Sequence, residues 1–246
     1  MTKKINIKGV ILAGGLGTRL YPLTKITNKH LLPVYDKPMI LYGIETLRRS
    51  GICDIMIVCG REHAGHFMNF LGSGKEYGVK LAFAIQDKNN AGISDALLAA
   101  EDFAEGGGVA VILGDNIFEN DFAAAVKKFK QGAMIFLKEV PDPERFGVPV
   151  FDKSGKIILS VEEKPETPRS NFAQTGFYLF DGNVFEIIKK QKPSKRGEIE
   201  ITDTVNRYLK KSLLAFAFIK GWWLDAGTFD SLLKAAAVIK EAHGKK

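Results

Sequence analysis

The run Val10-Ile11-Leu12-Ala13 empties into a loop holding Gly14, Gly15 and Gly17, and this junction constrains the fold more than any other stretch. An unbroken aliphatic row suits a strand buried on both faces, which is a strand of a parallel sheet. Glycines directly after it let backbone N–H groups close on a polyanion, and Arg19, Lys25 and Lys29 follow to neutralise its charge. Open α/β folds bind ligands beyond the carboxyl edge of such strands. The combination specifies a nucleoside triphosphate site at the rim of a parallel sheet.

Two familiar phosphate motifs fail here. A Walker loop needs Lys-Ser/Thr after its last glycine, whereas Gly17 is followed by Thr18-Arg19. The dinucleotide fingerprint needs a third glycine where Leu20 stands, and Asp36 sits in a turn-like Tyr35-Asp36-Lys37-Pro38 stretch instead of closing a second strand. A nicotinamide-dependent oxidoreductase is therefore disfavoured.

At 246 residues, 46% hydrophobic and 26% charged, the chain is long enough for one large domain, or one domain with a lobe. No apolar run approaches the ~20 residues of a membrane span, and Met1 to Ile7 shows no signal-peptide core, so the expectation is a cytoplasmic protein that engages no membrane. Cys53 and Cys59 bracket one strand-like run and lie roughly 20 Å apart if extended, beyond disulfide reach; both are expected as buried reduced thiols. The net charge of +7 owes much to Lys3, Lys4, Lys245 and Lys246, which read as solvated tails. No basic helix interleaved with aromatics appears, so an anionic small molecule explains the bias better than nucleic acid.

The first half alternates strand and helix. Strands are expected at 9–13, 54–59, 80–86 and 109–113, and helices at 38–49, 62–71 and 93–103. That rhythm specifies an α/β, Rossmann-like, doubly wound sheet, mixed but mostly parallel. After Gly132 the pattern changes to strands at 133–140, 148–151, 157–162, 177–180 and 213–219, with a hairpin turn at Asp152–Gly155. Helices are expected at 183–190, after Thr202, and at 229–243. No linker or repeat divides the chain. The expectation is a single domain over 1–246, with a nucleotide half at about 1–131 and a substrate-binding lobe at about 132–246.

Asp115 follows a buried strand run, so its carboxylate emerges on the same rim as the glycine loop if both strands are parallel. A hard oxygen ligand beside a triphosphate recruits Mg²⁺; the alternative is a cap for a following helix. Asp225, in Trp223-Leu224-Asp225-Ala226-Gly227, gains meaning only if it meets Asp115 in space. Glu163-Lys164 ends a strand with an acceptor for hydroxyls and a cation for phosphate, against the alternative of a solvated strand end. Arg196 offers a second phosphate clamp, while Thr202 or Asp203 can simply cap the next helix. Gln86 can donate and accept at once, which suits a pyrimidine edge, and Gly92 opens the helix beyond it. The four histidines show no catalytic pairing, and His63 and His66 lack carboxylate partners for a metal.

Taken in order, LAGGLGTRLYPLT, NKHLLPVYDKPMI, GDNIF, DPERFGV, EEKP, TGFYLFD, RGEIEITD and WLDAGTFDSL resemble the sugar nucleotidyltransferases from about residue 8 to 235. VYDKPMI, GDNIF and the RGE-EITD segment point more narrowly to the glucose-1-phosphate thymidylyltransferase branch. The resemblance implies Mg²⁺-dependent joining of dTTP and glucose 1-phosphate to give dTDP-glucose, a step toward dTDP-rhamnose and related polysaccharide precursors. It implies Arg19, Lys29 and Lys164 as catalytic. Leu12, Gly14, Gly15, Gly17, Thr18, Gln86, Gly92 and Asp115 would bind the nucleotide alongside Arg19 and Lys29. Asn116, Gly147, Glu163, Lys164, Gln174, Tyr178 and Arg196 would hold the sugar phosphate, and Asp115 and Asp225 the metal. His30 replaces the glutamine usual in longer relatives, and Gln174 an apolar residue. The chain also reads as a short form without a C-terminal extension, which leaves a homo-oligomer and feedback control open. Use of UTP or CTP is the nearest alternative. A silent nucleotide-sugar sensor would be expected to lose the cations or carboxylates retained here.

Overall fold

The computed structural model describes residues 5–87 and 92–244. Lys3, Lys4, Lys245 and Lys246 lie outside the described residues, as does most of the polar stretch between Gln86 and Gly92.

The first half runs β1 (Ile7–Ala13), a small hairpin of β2 (Pro33–Val34) and β3 (Lys37–Pro38), α1 (Met39–Arg49), β4 (Asp54–Gly60), α2 (Ala64–Leu71) and β5 (Lys80–Gln86). Then come α3 (Ile93–Leu98), α4 (Glu101–Ala104), β6 (Gly108–Leu113), β7 (Asn116–Phe118) and α5 (Ala123–Lys128). The second half holds β8 (Ala133–Glu139), β9 (Gly147–Phe151), β10 (Ile158–Glu163), β11 (Phe172–Phe180), α6 (Val184–Lys189), α7 (Ile201–Lys210), β12 (Leu214–Phe218), β13 (Trp223–Asp225) and α8 (Phe229–His243).

One nine-stranded sheet joins both halves, in the order β10-β9-β11-β6-β1-β4-β5, with β8 also on β11 and β12 on β8. β1 lies between β4 and β6 and is parallel to both, with Leu12 opposite Leu113 and Ala13 opposite Cys59. The glycine loop and Asp115 therefore leave the same rim. β11 runs antiparallel to β6 and β8, so the second half extends the parallel core as a mixed sheet.

Alternation along β1 feeds two cores. Val10 and Leu12 pack with Leu97, Val111, Val184 and Tyr208 beneath α3, α6 and α7. Ile11 and Ala13 pack with Ile40, Ile44, Leu47 and Phe67 beneath α1 and α2. Burial on both faces is why the strand reads as a continuous apolar run, each large side chain contributing about 1.5–3 kcal/mol relative to exposure. α8 starts at a capping box in which Thr228 and Ser231 bond each other's backbone N–H.

The fold corrects several expectations. The helix expected over 93–103 is two, because Ala99 and Ala100 tighten into i→i+3 bonds to Ala96 and Leu97. α7 begins at Ile201 with Glu200 at its N-cap position, so neither Thr202 nor Asp203 caps it. No helix follows Asp115 directly; β7 does, which removes the capping alternative. Cys59 is buried, and burial pushes its thiol up, but Cys53 is exposed just before β4 begins. Among the described residues, no helix is long and apolar enough to cross a membrane.

Candidate active site

The rim of β1 and β6 opens into a cavity of about 540 Å³ bounded by the glycine loop, β7, β9, β11 and β13. Gly14 lies against the Gln86 Oε1, and Gly15 faces the Lys29 stem. Gly92, at φ +95°, leaves no room for a side chain: a Cβ would lie 2.6 Å from the Ile199 carbonyl oxygen. Leu12, Gly14, Gly15, Arg19, Lys29, Gln86 and Gly92 all line the cavity. Gly17 and Thr18 do not. Gly17, at φ +65°, instead turns the chain into the short helical turn that carries Arg19 inward.

Lys29 is positioned by Asn28, a nearly inaccessible residue. The Asn28 amide donates to the Ala13 carbonyl (3.3 Å), and its Oδ1 accepts from the His30 backbone N–H (3.0 Å). The loop is thereby tied to the end of β1. The His30 ring lines the cavity, and burial with the neighbouring Lys29 charge lowers its pKa to about 3, so it is neutral. The Lys29 ammonium donates to Asp115 Oδ2, with the two side chains only 11% and 12% exposed.

The two aspartates meet through a contact that sequence periodicity does not reveal. β7 and β13 form a three-residue antiparallel ladder in which Asn116 faces Asp225, and the Ala226 N–H donates to the Asp115 carbonyl (2.9 Å). A Cβ on Gly227 would lie 3.0 Å from Arg19 Nη2, 3.1 Å from Asp225 Oδ1 and 3.5 Å from Asp115 Oδ2. Three charged groups thus surround one small space. Burial raises the Asp115 pKa, but the Lys29 ammonium and the Asn116 amide outweigh it and hold the carboxyl well below the usual range. Asp225 is pushed up to about 6 by burial and by the Asp115 charge, against Lys29, Arg19 and Arg145.

Asn116 is the hub of this arrangement. Its Nδ2 donates to Asp115 Oδ1 (3.0 Å), while its Oδ1 accepts from the Gly176 N–H (2.9 Å) and Trp223 Nε1 (2.7 Å). It lines the cavity, with much of its polar capacity already committed to the fold.

Gly147, Glu163, Lys164, Gln174 and Tyr178 also line the cavity. Gly147 has no room for a side chain against Thr202 Cγ2, at 2.8 Å from a built Cβ. Thr202, no helix cap, donates to Glu163 Oε2 (3.1 Å). Burial and the Glu200 charge raise the Glu163 pKa, opposed by Lys164, Thr202 and Arg196. Arg196 does not line the cavity. Its guanidinium faces Glu198 (3.3 Å), Glu200 (3.4 Å) and Glu163 (3.6 Å), and Glu198 and Glu163 both line the cavity. Sequence reasoning gave no role to Arg145 or Trp223, although both lie in the DPERFGV and WLDAGTFDSL stretches; Arg145 Nη2 is 3.4 Å from Asp225 Oδ2.

A family profile described as nucleotidyl transferase matches residues 8–242. A glucose-1-phosphate thymidylyltransferase of Neisseria gonorrhoeae is 44% identical over 240 residues, covering 95% of this chain and 83% of the relative. One from Xanthomonas campestris pv. campestris is 45% identical over 239 residues, covering 95% and 80%. Among solved structures, a Bacillus anthracis protein assigned as a glucose-1-phosphate thymidylyltransferase, in complex with a sucrose, superposes with a TM-score of 0.91 at 50% identity and 96% coverage of both chains. A UDP-glucose pyrophosphorylase complexed with UDP-glucose gives 0.83 at 27% identity, covering 96% of this chain and all of the other. With the glycine loop, the paired aspartates and the Glu163-Lys164 wall on one cavity, the chain belongs to the nucleotidyl transferase family, among its glucose-1-phosphate thymidylyltransferases.

Proposed function

We propose that this cavity joins α-D-glucose 1-phosphate to the thymidylyl group of dTTP, giving dTDP-glucose and pyrophosphate. The observation that carries the reading is the convergence of Arg19, Lys29, Asp115 and Asp225 on one cavity that Gln86, Glu163 and Lys164 also line. A phosphate oxygen of the sugar phosphate attacks the α-phosphorus; the Pα–O bond to the β-phosphate breaks, and its electron pair leaves with pyrophosphate. No proton need move at the reacting phosphorus. Catalysis therefore rests on alignment and on neutralising charge.

The donor set fits a magnesium ion. Asp115 and Asp225 are hard oxygen ligands held close enough to repel, which raises the Asp225 pKa, and a divalent cation relieves that repulsion. Among the described residues no group of three or more His, Cys, Asp or Glu side chains could hold a metal, so phosphate and water oxygens would supply the remaining ligands, as suits Mg²⁺. When bound, the ion withdraws charge from the α-phosphate and the departing pyrophosphate.

The rest falls to the chain. The Gly14–Gly15 backbone and Arg19 hold the triphosphate, and Lys29 exchanges Asp115 for the reacting phosphates. Gln86 and Gly92 face the base. Glu163 accepts from ring hydroxyls, and Lys164, lifted to φ +44° at the end of β10, reaches the sugar phosphate. Residues 1–131 serve mainly the nucleotide and 132–246 mainly the sugar phosphate, within one domain, Asn116 and Asp225 each serving the other half. Both substrates are cytoplasmic metabolites, and the reaction belongs in that compartment.

Pyrophosphate release, measured for dTTP, UTP, CTP and ATP against several sugar 1-phosphates, tests the reading. The dTTP and glucose 1-phosphate pair is expected to give the highest kcat/KM, falling by orders of magnitude in Arg19→Ala and Asp115→Ala. A preference for UTP would favour the chemistry of the more distant UDP-glucose pyrophosphorylase.

A further inference from the structure

Asp115 and Asp225 divide their oxygens in the same way. A Cβ on Gly227 would lie 3.1 Å from Asp225 Oδ1 and 3.5 Å from Asp115 Oδ2, so each carboxylate turns one oxygen toward the same small space. Side-chain donors engage the other two. Asp115 Oδ1 accepts from Asn116 Nδ2 (3.0 Å), and Asp225 Oδ2 accepts from Arg145 Nη2 (3.4 Å). Asn116 is the neighbour of its aspartate in sequence, whereas Arg145 reaches Asp225 from a turn 80 residues away.

That turn holds the guanidinium from several sides. Pro143 opens it, and the Phe146 N–H closes it on the Pro143 carbonyl (3.0 Å). The Lys164 N–H donates to the Phe146 carbonyl (2.9 Å), which ties the turn to the end of β10. The Phe146 ring packs on Trp223, two residues before Asp225, with ring centres 5.0 Å apart. The Arg145 guanidinium lies 5.2 Å from the centre of the Phe146 ring, and its Nη1 donates to Asp142 Oδ2 at 2.6 Å. Anchored there, it has Nη2 left for Asp225. A planar guanidinium can serve two carboxylates through separate nitrogens, a task for which few side chains have the geometry.

The count of available carboxylate oxygens separates the divalent cations. Ca²⁺ takes about six to eight oxygens and readily uses both oxygens of one carboxylate; Mg²⁺ demands near-octahedral geometry and keeps several waters. A carboxylate with one oxygen committed to a guanidinium suits the second ion better than the first.

Resting on the function proposed above, we infer that Arg145 is a positioning residue that sets the metal preference: by engaging Asp225 Oδ2 it limits that carboxylate to a single metal-facing oxygen and favours Mg²⁺ over Ca²⁺. Removing the guanidinium also removes a positive charge, which raises the affinity for both divalent ions alike. The ratio of the two affinities cancels that effect and reports on Oδ2.

The test is a competition titration. The full chain carries one equivalent of dTTP and no sugar phosphate, and Mg²⁺ or Ca²⁺ displaces bound Mn²⁺, read from the electron paramagnetic resonance of the released ion. Arg145→Met keeps the apolar stem and removes every donor. It should move the ratio of Ca²⁺ to Mg²⁺ affinity toward Ca²⁺ by about 5- to 20-fold relative to the wild type. In an Asp225→Asn background, whose amide has one oxygen to offer with or without Arg145, the same substitution should leave the ratio within about 2-fold. A ratio that Arg145→Met leaves unmoved, even with both affinities raised, overturns the inference, and so does a shift that persists undiminished beside Asp225→Asn. The titration needs no turnover, so the two failures are separable: pyrophosphate release from dTTP and glucose 1-phosphate by the wild type keeps the parent reading when the ratio stays put, and its absence overturns both.

Discussion

Replacing Lys29 by Met removes the cation bonded to Asp115 Oδ2 while keeping most of the apolar stem. The two side chains are 11% and 12% exposed, so little water can take over. Removing one partner of a buried ion pair typically costs about 3–5 kcal/mol, because the remaining charge is stranded. Arg19 and the Asn116 amide stay close to Asp115, which places the expected cost near the lower end, about 3 kcal/mol. For a chain of this size that is a fall of roughly 6–12 °C in melting temperature without substrate or metal. Asp115→Asn in the same background removes the stranded charge and its repulsion of Asp225, so the double variant should recover most of the loss. Activity should not follow. Lys29→Met should lower kcat by about 10²–10³-fold, as loss of a transition-state donor does, and the double variant should be no better. Thermal melts paired with pyrophosphate-release kinetics on the four proteins of this cycle decide the matter. A Lys29→Met protein that melts with the wild type, or a double variant that regains turnover, would refute the linkage between this ion pair and the reacting phosphates.

Three further outcomes are expected. His30 is neutral in the fold with a pKa of about 3, against 6.5 ordinarily, so protons bind the unfolded chain first and stability falls as pH drops from about 6.5 toward 3. At pH 5 this one group costs about 2 kcal/mol relative to neutral pH, and denaturant melts of His30→Gln should show a correspondingly flatter acid limb. Gly227→Ala pushes a methyl to within 3.0 Å of Arg19 and 3.1 Å of Asp225, so the Mg²⁺ concentration for half-maximal rate should rise at least tenfold with an unchanged circular dichroism spectrum. Asn116→Ala breaks the bonds that aim Asp115, and should lower kcat about 10–100-fold with little change in the KM for glucose 1-phosphate; a large KM change instead would make Asn116 a sugar contact.

What could be read along the chain was whatever local pattern dictates. The continuous apolar runs at 9–13 and 109–113 announce strands buried on both faces, and their shared direction predicts that Gly14 and Asp115 leave one rim. The meeting of Asp115 with Asp225 has no such signal. It depends on β7 and β13, three residues each, too short to show a period, whose register couples positions more than a hundred residues apart. β11 carries a bulge that is hidden for a related reason: Thr175–Phe177 stand opposite the single residue Phe136 of β8, so the period-2 pattern before Phe177 is lost. Arg196 reads both ways along the chain, because Glu198 and Glu200, two and four residues away, suit an ion-pair cluster as well as they flank a phosphate clamp.

The transfer itself is the most direct test. Supplied with glucose 1-phosphate and Mg²⁺, the protein should move the label of α-³²P-dTTP into dTDP-glucose and release the label of γ-³²P-dTTP as pyrophosphate, in equal amounts. Release of the γ-label as inorganic phosphate, or an α-label that never joins the sugar, would contradict the account.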